Sequence, residues 1–253
     1  MGKIYTKHIN QNFFKRWTPK MSYILGYIVA DGCITISKDR ESHPFTLNIT
    51  SADLEHLYLL KETLESEHKI SKKSQKIDTN NGYQLQIRNH IITQDLINLG
   101  ILPRKTYNLN PIKVPDKYLP DFTRGFFDGD GSVYTYKVNG TPQIKVGFVS
   151  TSLPFLTEFN KQLCRNLGIL KKSIHKTIDK RKKGKMIQFN THFYIDDCKK
   201  LYKFMYRNAS IFLDRKYRIF KKWENMKSKN GRHYIKKNYP SKIGWRLNKK
   251  VLA

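Results

Sequence analysis

The stretch ILGYIVADG at residues 24–32 recurs as TRGFFDGDG at residues 123–131, 99 residues further along the chain. Each copy carries two small residues four positions apart: Gly26 with Ala30, and Gly125 with Gly129. Residues with this spacing share one face of a helix. A face made of small residues lets a second helix approach closely. The repeat therefore predicts two helices that pack against each other.

An aspartate followed by a glycine closes each copy, at Asp31–Gly32 and Asp130–Gly131. A glycine suits the position just after a helix, so both carboxylates are expected in a last helical turn, at the negative end of the helix dipole. On packed helices the two carboxylates also repel each other. A divalent cation removes both penalties, and oxygen ligands suit Mg²⁺. We expect a metal site that supports phosphodiester chemistry.

The 99-residue offset continues downstream of both copies. Residues 45–51 and 144–150 each alternate with a period of two, and Asp53 and Ser152 then open runs with a period near 3.6. Each copy therefore reads as helix, two strands, helix, two strands, helix. Strands are expected at residues 33–37, 45–50, 69–76, 83–88, 132–137, 143–150, 171–178 and 186–194.

The domain boundaries follow from this repeat. We expect a first subdomain at residues 1–110, a linker at 111–122, a second subdomain at 123–224 and a basic tail at 225–253. Three prolines in the linker favour an extended connection. Residues 221–253 hold 11 Lys and Arg against one acid, and Gly231, Pro240 and Gly244 argue against a single helix there. A solvated tail and an arm that binds phosphates both remain open.

The net charge of +28 is the main compositional signal. Such an excess is commonly offset by a nucleic-acid backbone. The basic residues are spread along the chain rather than gathered on one amphipathic face, which disfavours a membrane surface. No apolar run reaches the length of a membrane span, and the N-terminus lacks a signal-peptide stretch. The three separated cysteines form no zinc or disulfide pattern, and no histidine-pair or nucleotide-binding motif occurs.

The two copies resemble the LAGLIDADG motif, present twice, and the resemblance covers about residues 20–220. It implies an α+β fold of two pseudo-symmetric αββαββα subdomains, whose antiparallel sheets form a DNA-binding saddle. It also implies a homing endonuclease, which cuts both strands of a long DNA site by metal-dependent hydrolysis. The eighth motif position is the family's metal ligand and falls on Asp31 and Asp130, with Ala30 and Gly129 assigned to the same site. The implied cofactor is Mg²⁺, with Mn²⁺ or Ca²⁺ as substitutes in binding.

Further catalytic residues are implied by the same resemblance. The basic pairs in GILPRKT, residues 100–106, and LDRKY, residues 213–217, place the family's active-site lysine on Lys105 and Lys216. A polar position on the second strand falls on Asn48, whereas its counterpart Gly147 has no side chain to offer. The usually acidic sixth motif position is Val29 in one copy and Asp128 in the other.

Base recognition is expected from strand side chains, because the major groove admits a two-stranded ribbon. In the first copy the candidates are Ser37, Lys38, Arg40, Lys72, Lys76, Gln84, Gln86 and Arg88. In the second copy they are Tyr134, Tyr136, Lys137, Gln143, Lys145, His175, Lys180 and Gln188. Two motifs in one chain imply a monomer without an obligate protein partner, on an asymmetric site on the order of 20 base pairs. Packed helix ends favour cuts across the minor groove that leave short 3′ overhangs.

Two other functions fit the same fold. One is an RNA maturase that helps an intron to splice, and the other is a DNA-binding regulator that does not cut. Both tolerate the loss of a catalytic acid, whereas here both aspartates are intact. An intein is disfavoured because the chain does not end in the His-Asn pair that splicing needs. We expect the protein wherever its target genome lies, in a bacterial or phage-infected cytoplasm or in an organelle.

Overall fold

Two sets of helices and strands follow one another in the same order. The computed structural model describes residues 7–37, 45–73, 82–105, 109–179 and 186–229. The first half contains α1 (Pro19–Asp31), β1 (Gly32–Ile36), β2 (Phe45–Ser51), α2 (Leu54–Thr63), β3 (Ile70–Lys72), β4 (Tyr83–Ile87) and α3 (His90–Asn98). The second half contains α4 (Leu119–Asp130), β5 (Ser132–Val138), β6 (Thr141–Ser150), α5 (Leu153–Leu167), β7 (Ile174–Asp179), β8 (Met186–Tyr194) and α6 (Ile195–Tyr206). A last helix, α7 (Asp214–Lys229), follows the second half.

Both halves build one four-stranded antiparallel sheet with the same strand order. The first sheet runs β1-β2-β4-β3 and the second runs β5-β6-β8-β7. The register is also matched, because Asn48 lies opposite Cys33 and Gln86, while Gly147 lies opposite Ser132 and His192. The predicted α+β fold of two pseudo-symmetric subdomains is therefore confirmed.

The strand bounds differ from the expected ones in places. β7 begins at Ile174, three residues later than predicted. Just before it, the Lys172 carbonyl accepts a hydrogen bond from the Asn160 side chain at 2.7 Å, and this bond takes the place of pairing with a neighbouring strand. The described part of β3 ends at Lys72, and the end expected at residue 76 lies outside the described residues.

The linker is shorter than the sequence predicts. A single 3₁₀ turn at Asp116–Tyr118 leads into α4, which begins at Leu119 rather than after residue 122. Pro120 lies in the first turn of α4, where a helix tolerates proline because the missing N–H would have no helical partner. The third linker proline therefore starts a helix and does not prevent one.

The two motif helices, α1 and α4, lie at the centre of the molecule. Residues 21–29 of α1 are all buried, as expected for a helix covered on every side. A Cβ atom on Gly26 would collide with the Phe122 carbonyl, and one on Gly125 would collide with the Tyr23 carbonyl. The predicted close approach of the motif helices is confirmed, and the missing side chains of these glycines make it possible.

Each sheet presents one face to helices and leaves the other uncovered. Alternate strand residues form the apolar core, including Leu47, Ile49, Leu85 and Ile87 in the first half and Ile144, Val146, Phe148 and Phe193 in the second. The opposite side chains form what we call the open face of each sheet. Within the described residues, no helix is long and apolar enough to span a bilayer.

Candidate active site at the ends of the motif helices

Asp31 and Asp130 are the last residues of α1 and α4. The glycine after each has an extended backbone, with φ −96° at Gly32 and φ −73° at Gly131, so neither adopts the left-handed conformation for which glycine is often selected after a helix. Glycine is needed there for space instead. A Cβ atom on Gly32 would lie 2.8 Å from the Ile28 carbonyl oxygen. A strand can therefore follow each motif helix with almost no connecting loop.

The two carboxylates are brought together by the packing of the helix ends. A Cβ atom on Gly129 would collide with the Ala30 side chain and lie 3.3 Å from Asp31 Oδ2. Asp31 and Asp130 line the same cavity, of about 240 Å³, together with Lys105. The end of β6, the residue after it and the start of β8 also line the cavity: Val149, Ser150, Thr151, Met186 and Gln188.

The cavity carries unfavourable negative charge. Burial, and then the neighbouring charge of Asp130, raise the pKa of Asp31 to about 6, although Lys216, Lys105 and Tyr27 act in the opposite direction. A divalent cation would relieve both effects, and the carboxylate oxygens fit Mg²⁺ or a similar hard ion. Among the described residues, no cluster of three or more His, Cys, Asp or Glu side chains could hold a metal ion. A cation here would therefore rely on this pair, backbone oxygens, water and phosphate.

Lys105 and Lys216 are buried at the same helix ends, with 6% and 5% of their surfaces exposed. The Lys105 ammonium donates to the carbonyls of Val29 at 2.5 Å and Ala30 at 3.3 Å. The Lys216 ammonium lies within 2.5–3.2 Å of four carbonyl oxygens at the end of α4: Phe127, Asp128, Gly129 and Gly131. Each lysine is thus a cation at the negative end of a helix dipole.

The two lysines differ in their relation to the cavity. Lys105 lines it, whereas Lys216 is not among its lining residues. Burial lowers the pKa of Lys105, and it lowers that of Lys216 to about 8. The carbonyls of Ala30 and Gly129, assigned to the metal from sequence, each accept one long bond from a lysine. Each oxygen has a second lone pair.

Asn48 does not reach the cavity. Its side-chain amide donates to Thr35 Oγ1 at 2.9 Å and accepts from Gln86 Nε2 at 2.8 Å, within the open face of the first sheet. It is 7% exposed. Its predicted catalytic role stays a prediction, and the structure gives it a place in a polar ladder instead.

Most of the described base-contact candidates lie on the open faces. By register and strand alternation they are Gln84, Gln86, Tyr134, Tyr136, Lys145, His175 and Gln188. Ser37 and Arg88 each follow the last residue of a strand and have no register partner. Lys72 and Lys137 share the alternation of Ile70 and Val133, so they point to the opposite side of the sheet. Gln143 is on the open side but is only 5% exposed, so its amide is not available to a base as placed. The candidates Lys38, Arg40, Lys76 and Lys180 lie outside the described residues.

Tyr194 and His192 are among the open-face residues that were missed from sequence. Tyr194 lies opposite Lys145, whose ammonium is 5.5 Å from the Tyr194 ring centre and 5.9 Å from that of Tyr134. His192 stacks on Tyr194, with 6.5 Å between ring centres. The signal was present, because polar and aromatic side chains alternate with apolar ones along β8.

The repeated unit also matches a known family. The family model of the LAGLIDADG-like domain matches residues 18–98 and again residues 120–206. The chain belongs to this family. No curated protein matches the sequence.

Solved structures of LAGLIDADG proteins share the fold. The LAGLIDADG homing endonuclease I-GzeII, in complex with its DNA target, is similar with a TM-score of 0.56 and 13% identity, over 85% of this chain and 92% of that one. The LAGLIDADG meganuclease I-AabMI, bound to uncleaved DNA, has a TM-score of 0.50 and 15% identity, over 84% and 92%. At such identities the likeness shows the fold alone.

Proposed function

We propose that this LAGLIDADG protein is a site-specific DNA endonuclease that cuts both strands of its target by metal-dependent hydrolysis. One observation carries the proposal. Asp31 and Asp130, from two equivalent helices, meet in one cavity that is also lined by Lys105. Two equivalent acids suit a substrate with two equivalent reacting phosphates, one in each strand.

Double-stranded DNA is the substrate that best fits the surroundings of this cavity. The chain carries a net charge of +28, which a phosphate backbone would offset with release of counterions. The open faces carry amide, hydroxyl, aromatic and cationic side chains, the groups that read base edges in the major groove. The solved relatives I-GzeII and I-AabMI are themselves bound to DNA.

The residues at the cavity have different roles in the proposed reaction. The two carboxylates hold and orient cations, preferably Mg²⁺. When bound, such a cation supplies an activated water and charge stabilisation at the phosphate. Lys105 keeps a positive charge at the cavity wall, where negative charge grows on the phosphate oxygens. Lys216 fixes the end of α4, and so the backbone that carries Asp130, through its carbonyl contacts.

The mode of cutting follows from the same arrangement. Both acids belong to one chain, so a monomer acts on an asymmetric site of about 20 base pairs. The adjoining helix ends suit two phosphates that face each other across a minor groove about 6 Å wide. Cuts there leave short 3′ overhangs. The protein acts in the compartment that holds its target genome, which is either the cytoplasm of a bacterium, phage-infected or not, or an organelle.

The experiment begins with binding, since the target must first be found. Duplexes are selected from a random library in EDTA, and the enriched sequence is then incubated with protein and Mg²⁺. We expect cleavage that leaves sequenced 3′ overhangs and that disappears in the double variant Asp31→Asn/Asp130→Asn. Tight, specific binding without any cutting by the wild-type protein would make the chain a regulator rather than a nuclease. Preferential enrichment of a structured RNA over DNA in a parallel selection would favour the maturase.

A further inference from the structure

The carboxylate of Asp128, two residues before Asp130, is buried, with 1% of the residue exposed. Its Oδ2 atom accepts two hydrogen bonds, from the Tyr23 hydroxyl at 2.7 Å and from the backbone N–H of Leu213 at 2.8 Å. Because Tyr23 gives its only hydroxyl proton to this carboxylate, its oxygen accepts the bond from His56 Nε2 at 3.0 Å. The carboxylate therefore connects α1 of the first half to the residue that precedes α7.

Leu213 is the residue from which α7 starts. Its carbonyl oxygen accepts from the backbone N–H groups of Lys216 at 3.1 Å and Tyr217 at 3.2 Å, as the residue before a helix does. The Lys216 ammonium then reaches back to α4, where the Asp128 carbonyl is one of its four acceptors, at 2.8 Å. Since the last carbonyls of a helix have no helical partner, these bonds fix the end of α4. Asp128 thus holds the first turn of α7 twice, through its carboxylate and through its carbonyl.

The corresponding residues on the other side of the motif helices are apolar. With the 99-residue offset, Asp128 corresponds to Val29 and Tyr23 corresponds to Phe122. Both counterparts are buried, with 4% and 1% of their surfaces exposed. The helix packing itself is matched, because the first motif glycine of each helix faces the carbonyl of Tyr23 or of Phe122 on the other. Neither Val29 nor Phe122 can form the side-chain bond, so the connection belongs to the second half alone.

The two active-site lysines differ in the same way. Lys105 donates to two carbonyls at the end of α1 and also lines the cavity. Lys216 contacts four carbonyls at the end of α4 and is not among the residues that line the cavity. Lys216 is therefore placed to act on the backbone of α4, whereas Lys105 is placed to act on a phosphate in the cavity.

We propose that Asp128 is a positioning residue for Asp130: it holds Leu213 and Lys216 against the end of α4 and so fixes the backbone that carries the second catalytic carboxylate. This inference rests on the proposed nuclease function and deepens it. Asp31 has no such support, because Val29 stands at the equivalent position. Loss of the Asp128 carboxylate therefore slows the DNA strand whose phosphate reacts at Asp130 more than it slows the other strand.

The first test uses Asp128→Val, which gives the second half the residue of the first. The Tyr23 hydroxyl can then donate to His56 Nε2, once the imidazole proton moves to Nδ1, whereas the Leu213 N–H loses its acceptor. Single-turnover nicking is measured with a different label on each strand of the selected duplex. Because a misplacement of about 1 Å can cost about 100-fold, one strand should slow at least about tenfold while the other changes little. Equal slowing of both strands, or of neither, would overturn the proposal.

Two matched variants separate positioning from stability. Asp128→Asn keeps an oxygen that can accept both bonds, and it should keep the wild-type ratio of the two strand rates. Asn160→Ala removes another buried polar side chain of the second half, whose amide donates to the Lys172 carbonyl at 2.7 Å. It should lower the melting temperature and leave the ratio unchanged. A ratio shifted in Asn160→Ala, or shifted in Asp128→Asn as far as in Asp128→Val, would contradict the positioning role.

Lys216→Met breaks the same connection at its other end. It leaves the bonds of the Asp128 carboxylate in place, so it tests the connection even where Asp128→Val lowers stability too far for assay. It should slow the same strand as Asp128→Val, because both changes release the end of α4. Slowing of the opposite strand by Lys216→Met would show that Asp128 does not act through this lysine.

A second readout does not depend on cleavage. Hydrogen–deuterium exchange, followed by mass spectrometry of peptides that cover residues 207–217, reports the protection of the Leu213 N–H and the first turn of α7. Exchange there should be faster in Asp128→Val than in the wild type and in Asp128→Asn, while peptides from α3 should exchange equally in all three. If the wild type binds its duplex but cuts nothing, the nuclease function fails, whereas faster exchange still supports the connection to α7. Equal exchange in all three proteins would overturn the connection itself.

Discussion

The open faces of the two sheets have the same topology and different chemistry. In the first half, neutral side chains are joined across the strands, as Gln86 donates to Asn48 and Asn48 donates to Thr35. In the second half, the Lys145 ammonium lies between the rings of Tyr134 and Tyr194. The second face also pairs an amide with a hydroxyl, since Asn190 donates to Thr177 Oγ1 at 2.6 Å, so what distinguishes it is the cation held between aromatic rings.

The difference shows which side chains specify the fold. The residues that face the helices are of one kind in both halves, as with Leu47 and Ile49 in β2 and Ile144 and Val146 in β6. Those side chains provide most of the burial that stabilises each sheet. Open-face side chains contribute little to packing and can differ without changing the strand order. We infer that the halves read different base sequences while they share one catalytic centre.

The largest effect should come from the residues that the halves share. Asp31→Asn or Asp130→Asn should reduce double-strand cleavage roughly a thousandfold, since several kcal/mol of transition-state stabilisation depend on bound cation. Binding should be retained, because affinity comes mainly from phosphate contacts. Gel-based cleavage and binding assays measure the two quantities. Asp116→Asn, at an exposed linker carboxylate paired with Arg165, is the matched control and should cut normally.

The next prediction concerns the asymmetry of the target. A duplex that repeats one half-site in both halves should bind and be cut at least about 100-fold less well than the natural arrangement, because each mismatched pair costs about 1–3 kcal/mol. Competition binding and cleavage rates on three duplexes, the natural one and both palindromes, measure this. Efficient cutting of either palindrome, with two chains per duplex in sedimentation, would contradict the single-chain model.

A smaller effect should distinguish the two open faces. Lys145→Met should lower discrimination by about tenfold at one position of one half-site, as expected for one lost contact to a base edge. Gln86→Met should do the same in the other half-site only. Sequencing of duplexes selected by each variant gives the two profiles. If both variants relaxed the same half-site, the assignment of one face to each half-site would be wrong.

The smallest effect concerns stability and pH. Because the folded-state pKa of Asp31 is about 6 against an ordinary 3.8, the folded protein takes up this proton more readily than the unfolded chain does. Wild-type stability should therefore rise as pH falls from about 6 to about 4, and the cost of the charge is fully present above pH 6. Asp31→Asn should stabilise the metal-free protein at pH 7.5 by about 1 kcal/mol, allowing for partial exposure.

Denaturant unfolding at several pH values checks this sign. The gain from Asp31→Asn should shrink towards zero as pH falls to about 4 and below, because the wild-type carboxyl is then protonated in the folded state and increasingly so in the unfolded chain. The same substitution at the more exposed Asp130 should stabilise the protein less. A gain for Asp31→Asn that was larger at pH 4 than at pH 7.5 would contradict the account of its environment.

The spacing of residue types along the sequence predicted most of the fold. The small residues four apart in each motif predicted the helix contact, and period-two runs predicted the strands. The same alternation could have placed Lys72 and Lys137 on the helix side of their sheets, since each follows an open-side residue directly. It could not have shown that Gln143 is buried, because its exposure depends on neighbouring strands as well as on its own.

The sequence by itself determined the two-copy architecture, the paired aspartates and the excess of positive charge. These are properties of residue type and short-range periodicity, which the chain carries wherever its segments lie. Only the tertiary structure decided what surrounds the acids. Lys105 reaches the Val29 carbonyl across 76 positions of sequence, and Lys216 reaches the Phe127 carbonyl across 89 positions. Contacts of this kind depend on how whole helices and sheets pack, so no local pattern of residues predicts which distant residues will meet.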